Sequence, residues 1–319
     1  MKTNNQTPVN IIKFNENFPD EITCILQFKE QKDRIGVIRP TCGCKEHYRL
    51  QNKLRYECRH CHYPQSLRSG TVKENSKLPF LYRYIAIHLL TGTKNSFSAA
   101  ELQRQPGHRR YQPVWEMCRR LCDAMGKRDD IHSLSGQVEL GNAFIATLIP
   151  DDQKDEALKR GAGSQNKSKV AVMTEGTFVE NPKLGKPQKA VNRIKMKTVC
   201  DLKAETTTNM VKENVDSQAE LTADASASCK KLKEHVKRQD AKVVRQGGLP
   251  KVLPWMHIAI GNVKRLLLDV HHQLKNEYLQ YCFNEFCHKF NRRHFGENLF
   301  DRMIRVAAIL YSVIDCVII

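Results

Sequence analysis

From residue 137 onward, strand-like and helix-like runs follow one another in an order that few architectures accept. Strand candidates are Val138 to Thr147, Lys169 to Thr174, Asn192 to Cys200 and Glu220 to Ala223, with a weaker fifth at Lys242 to Arg245. Helix candidates are Ala204 to Val215, Ser226 to Val236, His257 to Val270 and Asn276 to Arg293. Three strands precede the first helix, and strand and helix then alternate. The pattern predicts an α/β fold, a mixed sheet with helices packed on it.

The chain of 319 residues is long enough for two or three domains. Its formal charge of +18 points to a polyanionic partner, nucleic acid first and a membrane surface second. The long apolar run, Met303 to Ile319, carries Arg305 and Asp315 and is shorter than the roughly 20 apolar residues a bilayer needs. It reads as a terminal core segment, and no membrane partner is expected. The opening Met1-Lys2-Thr3-Asn4-Asn5-Gln6 has no apolar stretch of the signal-peptide kind, so a cytoplasmic setting is expected. The 12 cysteines are then mostly reduced, and clustered ones read as metal ligands.

Four cysteines cluster early: Cys42, Cys44, Cys58 and Cys61. The pair Cys58-Arg59-His60-Cys61 is a CxxC knuckle, spaced from Cys42 as in a four-ligand zinc ribbon. The matching first knuckle needs a cysteine at residue 39, which is Arg39. Cys44 or His47 is left to complete a tetrahedron. The other reading is a small module with reduced cysteines and no metal.

From Pro79 to Gly126 the pattern turns helical. A first helix lies near Phe80 to Leu90, and a second begins at the capping box Ser98-Ala99-Ala100-Glu101 and stops at Pro106-Gly107. In a third, with Pro113 at its start, Val114, Met117, Cys118, Leu121, Cys122 and Met125 share one face, while Arg119 and Arg120 fall outside it. This suits a helix-turn-helix reader of DNA, or a plain helical linker. Between Asp151 and Lys169 the chain is polar and basic, a loop in which Lys159, Arg160, Lys167 and Lys169 are candidates for phosphate contact.

Several segments together resemble bacterial insertion-sequence transposases built from a zinc ribbon, a helical DNA-binding region and a ribonuclease-H-like catalytic domain. They are Leu67-Arg68-Ser69-Gly70-Thr71, Ser96-Phe97-Ser98-Ala99-Ala100-Glu101-Leu102, Lys159-Arg160-Gly161, Lys195-Met196-Lys197, Asn284-Glu285-Phe286 and Phe290-Asn291-Arg292-Arg293. The resemblance implies an N-terminal segment at 1–34, a zinc-ribbon-like module at 35–75, a helical DNA-binding region at 76–130, a ribonuclease-H-like transposase domain at 131–305 and a divergent apolar tail at 306–319. It also implies DNA ends as the partner, a nucleoid-associated setting, compatibility with a homo-oligomer, and two magnesium ions held by aspartate, aspartate and asparagine, followed by a lysine.

Carried onto this chain, the second aspartate is Asp224, the asparagine Asn262 and the lysine Lys264. Asp224 offers a charged oxygen, Asn262 a neutral carbonyl and Lys264 a cation for phosphate. Without the family pattern they read equally as a helix cap, an exposed amide and one cation among many. Residues two apart on a regular helix point in nearly opposite directions, so Lys264 is expected to reach DNA from the flank; Arg265 and Asp269 lie nearer the face of Asn262.

The first aspartate is missing, because its position is Gly141. On a strand Asn142 faces the other way, and Glu139 shares the face of Gly141 but lies about 7 Å along it. Pro106 departs from the family in the helical region as Arg39 does in the ribbon. The expectation is therefore a transposase by descent in an impaired copy. The alternatives are a catalytically dead protein occupying element ends, and, more remotely, a zinc-dependent interaction module unrelated to DNA.

Overall fold

A computed structural model describes residues 10–39, 41–50, 54–181, 186–224, 232–242, 253–271, 273–296 and 298–308. The chain divides into two units, one formed by Met1–Arg128 with Arg292–Ile319 and the other by Asp129–Asn291. Among the described residues no helix is long and apolar enough to cross a membrane.

The first unit opens with two helices, α1 (Ile11–Asn17) and α2 (Glu21–Ile35), started by side-chain caps: Asn10 accepts from the Lys13 amide and Asp20 from the Thr23 amide. An antiparallel sheet β1-β2-β3 follows (His47–Leu50, Arg55–Cys58, Pro64–Ser66). Lys32 of α2, 3% exposed, donates to the carbonyls of Leu67 and Ser69 at 2.9 and 2.8 Å, tying α2 to the chain that leaves β3. Helices α3 (Phe80–Gly92), α4 (Ala99–Arg104) and α5 (Tyr111–Asp130) correspond to the three expected from sequence, and the Ser98 hydroxyl accepts from the Glu101 amide as the capping box requires. The N-terminus of α3 has no local side-chain cap; Glu21 of α2 serves instead, accepting from the amides of Phe80 and Leu81 at 2.8 Å each.

Helix α9 (Asn298–Ala308) belongs to this unit, and Phe300, Met303, Ile304 and Val306 join Phe14, Phe18, Tyr84 and Leu121 in one core. Residue 305, where the resemblance ends the transposase domain, lies within this helix. As far as Ala308 the apolar terminal run is core, and the remainder lies outside the described residues.

Lys73 is fully buried in this unit, its Nζ 3.3 Å from the centre of the Phe80 ring and without a hydrogen-bond partner among the described residues. Burial, then the like charges of Arg83 and Arg68, lower its pKa to about 6, against the weaker pull of Glu21 and Cys24. The unfolded chain keeps an ordinary lysine, so between about pH 6 and the usual lysine range it holds a proton that the folded chain releases. Stability should therefore rise with pH across that window. Lys73→Met is expected to flatten this profile and to raise stability at pH 6; parallel urea-denaturation profiles for the two proteins between pH 6 and 9 would contradict the assignment.

The second unit contains β4 (Gln137–Ala146), β5 (Lys167–Asn181), β6 (Lys186–Val199), α6 (Ala204–Asn214), β7 (Glu220–Asp224), β8 (Arg238–Lys242), α7 (Pro254–Val270) and α8 (Asn276–Asn291). The sheet order is β6-β5-β4-β7-β8, antiparallel across β6, β5 and β4 and parallel across β4, β7 and β8. This is the mixed sheet expected from the order of elements, in a ribonuclease-H-like arrangement. The fifth strand is described from Arg238 to Lys242, and residues 243–245 of the stretch expected for it lie outside the described residues. Of the expected helix from Ser226 to Val236, residues through 231 lie outside the described residues, and 232–234 form a single 3-10 turn.

Strand alternation sorts the core into two layers. Val138, Leu140, Ala171 and Met173 pack with Met210 and Val211 of α6, while Ala143, Ile145, Val170, Val172, Ile194 and Met196 pack with α7 and α8. Edge strand β6 is covered by side-chain amides of α8. Gln280 accepts from the Thr198 amide and donates to the Met196 carbonyl, and Asn291 both accepts from the Ile194 amide and donates to its carbonyl.

Candidate active site

The sequence-predicted site residues come from the centre of this sheet and from α7. In the parallel pair of β4 and β7, Val138 registers with Leu221, Glu139 with Thr222 and Leu140 with Ala223. The next residues along the two strands are Gly141 and Asp224, so the topology sets the two positions expected for aspartates side by side. Gly141 has no donor, and its space is taken. A Cβ built there would lie 2.1 Å from Sδ and 2.9 Å from Cε of Met256, with Cδ1 of Leu253 at 3.7 Å. Met256, 2% exposed, stands in the first turn of α7 over the glycine.

Helix α7 starts with Pro254 and has no side-chain cap of its own. Its first amides are met by Glu139 of β4, whose Oε2 accepts from Trp255 at 3.2 Å and Met256 at 3.1 Å. At 3% exposure this carboxylate is a remote helix cap, and a negative charge suits a helix N-terminus. It is thereby committed to holding α7 on β4. Glu139→Ala leaves one buried and one part-buried amide donor without this acceptor, and a loss of about 1–3 kcal/mol is expected. Chemical denaturation checks this; an unchanged midpoint would mean that the cap contributes nothing.

The buried stripe of α7 is Met256, Ala259, Ile260, Val263 and Leu267, at helical three-and-four spacing. Asn262 and Lys264 flank Val263 and are both exposed, as is Arg265. Asn262 lies six residues beyond Met256, about 9 Å further along the helix axis. Beyond α7 the chain returns to the end of β4, where the Leu148 amide donates to the Leu274 carbonyl. The helix therefore runs along the strand that carries Gly141.

Residues 133–291 match the family model of the ISXO2-like transposase domain, a span that ends at the same residue as the second compact unit. The chain carries an ISXO2-like transposase domain. No curated protein matches it. Transposase domains form a class of DNA-cutting and DNA-joining enzymes that usually use magnesium. Magnesium needs hard oxygen donors. In this domain Gly141 supplies none, and the atoms over it are a thioether and a methyl, which suit soft metals or none.

Upstream of the transposase domain, Cys42, Cys58 and Cys61 gather their three sulfurs within 4.8 Å of one another. Cys42 lies 3.6 Å from Cys58 and 3.7 Å from Cys61. A zinc–sulfur bond of about 2.3 Å gives a tetrahedron with edges of about 3.8 Å, so these three cysteines fit three corners of a zinc site. Amides of Cys61 and His60 lower the Cys58 pKa to about 6, favouring the thiolate that a metal needs. Cys44, expected as a fourth ligand, is not in the cluster; its thiol points to the Glu46 carbonyl at 3.4 Å. The CxC spacing turns it away from the metal side of the loop. His47 is likewise outside the cluster.

Residue 39 still has the backbone of a zinc knuckle. The Gly43 amide donates to the Arg39 carbonyl at 2.8 Å, the Arg39 amide donates to the Cys44 carbonyl at 3.0 Å, and Gly43 takes the left-handed φ of 66°. The Arg39 guanidinium instead stacks over the Tyr63 ring at 3.8 Å.

The basic residues expected at DNA divide. Arg119 is exposed on α5, stacked 5.6 Å from the Trp115 ring. Arg120 is only half-exposed and donates to the Glu74 carbonyl, so it is not a free outer cation. Lys159 and Arg160 are exposed on their loop, where the Gln165 side chain accepts from the Lys159 amide and the Lys159 ammonium sits 3.5 Å from Glu156.

Proposed function

We propose that this protein is an insertion-sequence transposase by descent, which binds the ends of its element and is impaired in cutting and rejoining strands. A family of DNA-cutting enzymes, a charge of +18 and exposed cations at Arg119, Lys159 and Arg160 support the DNA partner. The observation that carries the impairment is the thioether of Met256 lying where a side chain at residue 141 would begin. Asp224 would supply the remaining charged oxygen, Asn262 a neutral one, and Lys264 a phosphate contact from the helix flank. With one opposed carboxylate gone, the donor set does not fit a pair of magnesium ions, and no metal-dependent step follows from it. The same reading places the protein on bacterial DNA in the cytoplasm.

A strand-transfer assay with the element's terminal repeats and magnesium tests the catalytic part: the native chain should show little or no product, and turnover like that of active relatives would refute impairment. A second reading, a protein that occupies element ends without cutting, is favoured by the survival of exposed DNA-side cations beside a filled catalytic position. Gel shifts with no preference for the terminal repeats over random duplex would remove it.

A further inference from the structure

The first unit holds a cavity of about 440 Å³ whose lining includes Arg83, Arg120, Arg110, Lys77 and His108. Arg83 of α3 is 1% exposed, and its Nε, Nη1 and Nη2 are all buried with no hydrogen-bond partner among the described residues. A guanidinium stays charged at neutral pH, and here burial, then Arg120 and Arg68, bring its pKa down only to about 9. A buried cation without a partner is strongly destabilising, and proteins ordinarily answer one with a carboxylate. The acidic residue lining this cavity, Glu116, is exposed and accepts from Gln112 at 3.1 Å. Arg120 spends one nitrogen on the Glu74 carbonyl and adds to the positive field.

We infer that this cavity is a phosphate-binding site, in which Arg83 presents its planar fork to phosphate oxygens and Lys77 and Arg110 carry the charge of its mouth. The fork matches a phosphate through two parallel hydrogen bonds, and a buried anion relieves the unpaired cation. A backbone phosphate of duplex DNA is the source that the charge of the chain favours, an assignment that rests on the DNA-binding part of the proposed function. Free phosphate shares the same chemistry.

The test uses the full chain, native and Arg83→Met, with Arg83→Lys as a variant that keeps the charge without the fork. Inorganic phosphate, against chloride at equal ionic strength, should raise the melting temperature of the native chain and leave Arg83→Met unmoved. Without phosphate Arg83→Met should melt higher than the native chain, since it removes a buried charge, whereas an arginine with only a structural role would make it melt lower. On duplex DNA Arg83→Met should weaken binding about ten- to hundredfold at low salt and reduce the salt slope by about one. An equal phosphate shift in native and Arg83→Met chains would overturn the site. A phosphate shift lost in Arg83→Met with an unchanged salt slope would keep the site and overturn the duplex as its source. A phosphate shift lost in Arg83→Met in a chain that binds no duplex at all would keep the site and refute the DNA-binding proposal.

Discussion

Combining Gly141→Asp with Met256→Ala is expected to raise strand cleavage of element ends in magnesium by roughly 10²- to 10⁴-fold over the native chain. The first obstacle is steric. Gly141 lies in a β-strand without a positive φ, so an aspartate there is sterically ordinary for the backbone, but its Cβ would meet Met256 Sδ at 2.1 Å. Met256 is flexible enough to swing aside, yet it is buried under α7, so Gly141→Asp alone should recover only part of the gain and lose stability. Met256→Ala alone should cost about 2–5 kcal/mol as a cavity and recover no cleavage. These four proteins form a cycle in which cleavage requires the aspartate and the alanine makes room for it. If the double variant cuts no better than the native chain, the defect lies elsewhere than residue 141.

Arg39→Cys should tighten zinc binding about a hundredfold. Four ligands together give about 10–16 kcal/mol in structural zinc sites, so one restored thiolate is worth about 3 kcal/mol. The backbone of the knuckle is already formed around residue 39, and three sulfurs already stand at tetrahedral spacing. The variant gives up the stacking of Arg39 on Tyr63, about 0.5–1 kcal/mol, which is small beside the gain. Competition against a chromophoric chelator reads the change. Equal affinities would mean that the native site already closes its fourth corner with another group.

What could be read without coordinates was local. The Ser98 cap, the buried face of α5 and the order of strands depend on residues a few positions apart, and they appear in the structure close to where the pattern puts them. What escaped depends on distant partners. Glu21 caps a helix through an amide 59 residues away and Glu139 one through an amide 116 residues away, and nothing in their own neighbourhoods marks them as caps. The sequence does not mark helices α1 and α2, because their buried residues, Phe14, Phe18, Cys24 and Phe28, are sparse among charges and need α3 and α9 to complete a core.

The candidate site shows the same division. Alternation along the strand separates Asn142 from Gly141, and the register pairs Leu140 with Ala223. That Met256 would fill the gap is a tertiary contact no spacing reveals. Counting along the chain likewise does not show that the Cys44 thiol turns to the Glu46 carbonyl or that Arg120 donates to the Glu74 carbonyl. Arg83, in the middle of an apolar helix pattern, carries no signal in the sequence, and the burial of its three nitrogens without partners among the described residues is a tertiary fact.

On the proposed function, the strand position beside Asp224 does not hold a divalent cation. Manganese scatters anomalously and accepts the same oxygen donors as magnesium, so crystals of the native chain soaked in it give the most direct test. No pair of anomalous peaks between residues 141 and 224 is the expected result. Two peaks there, at the separation of a working two-metal centre, would contradict it.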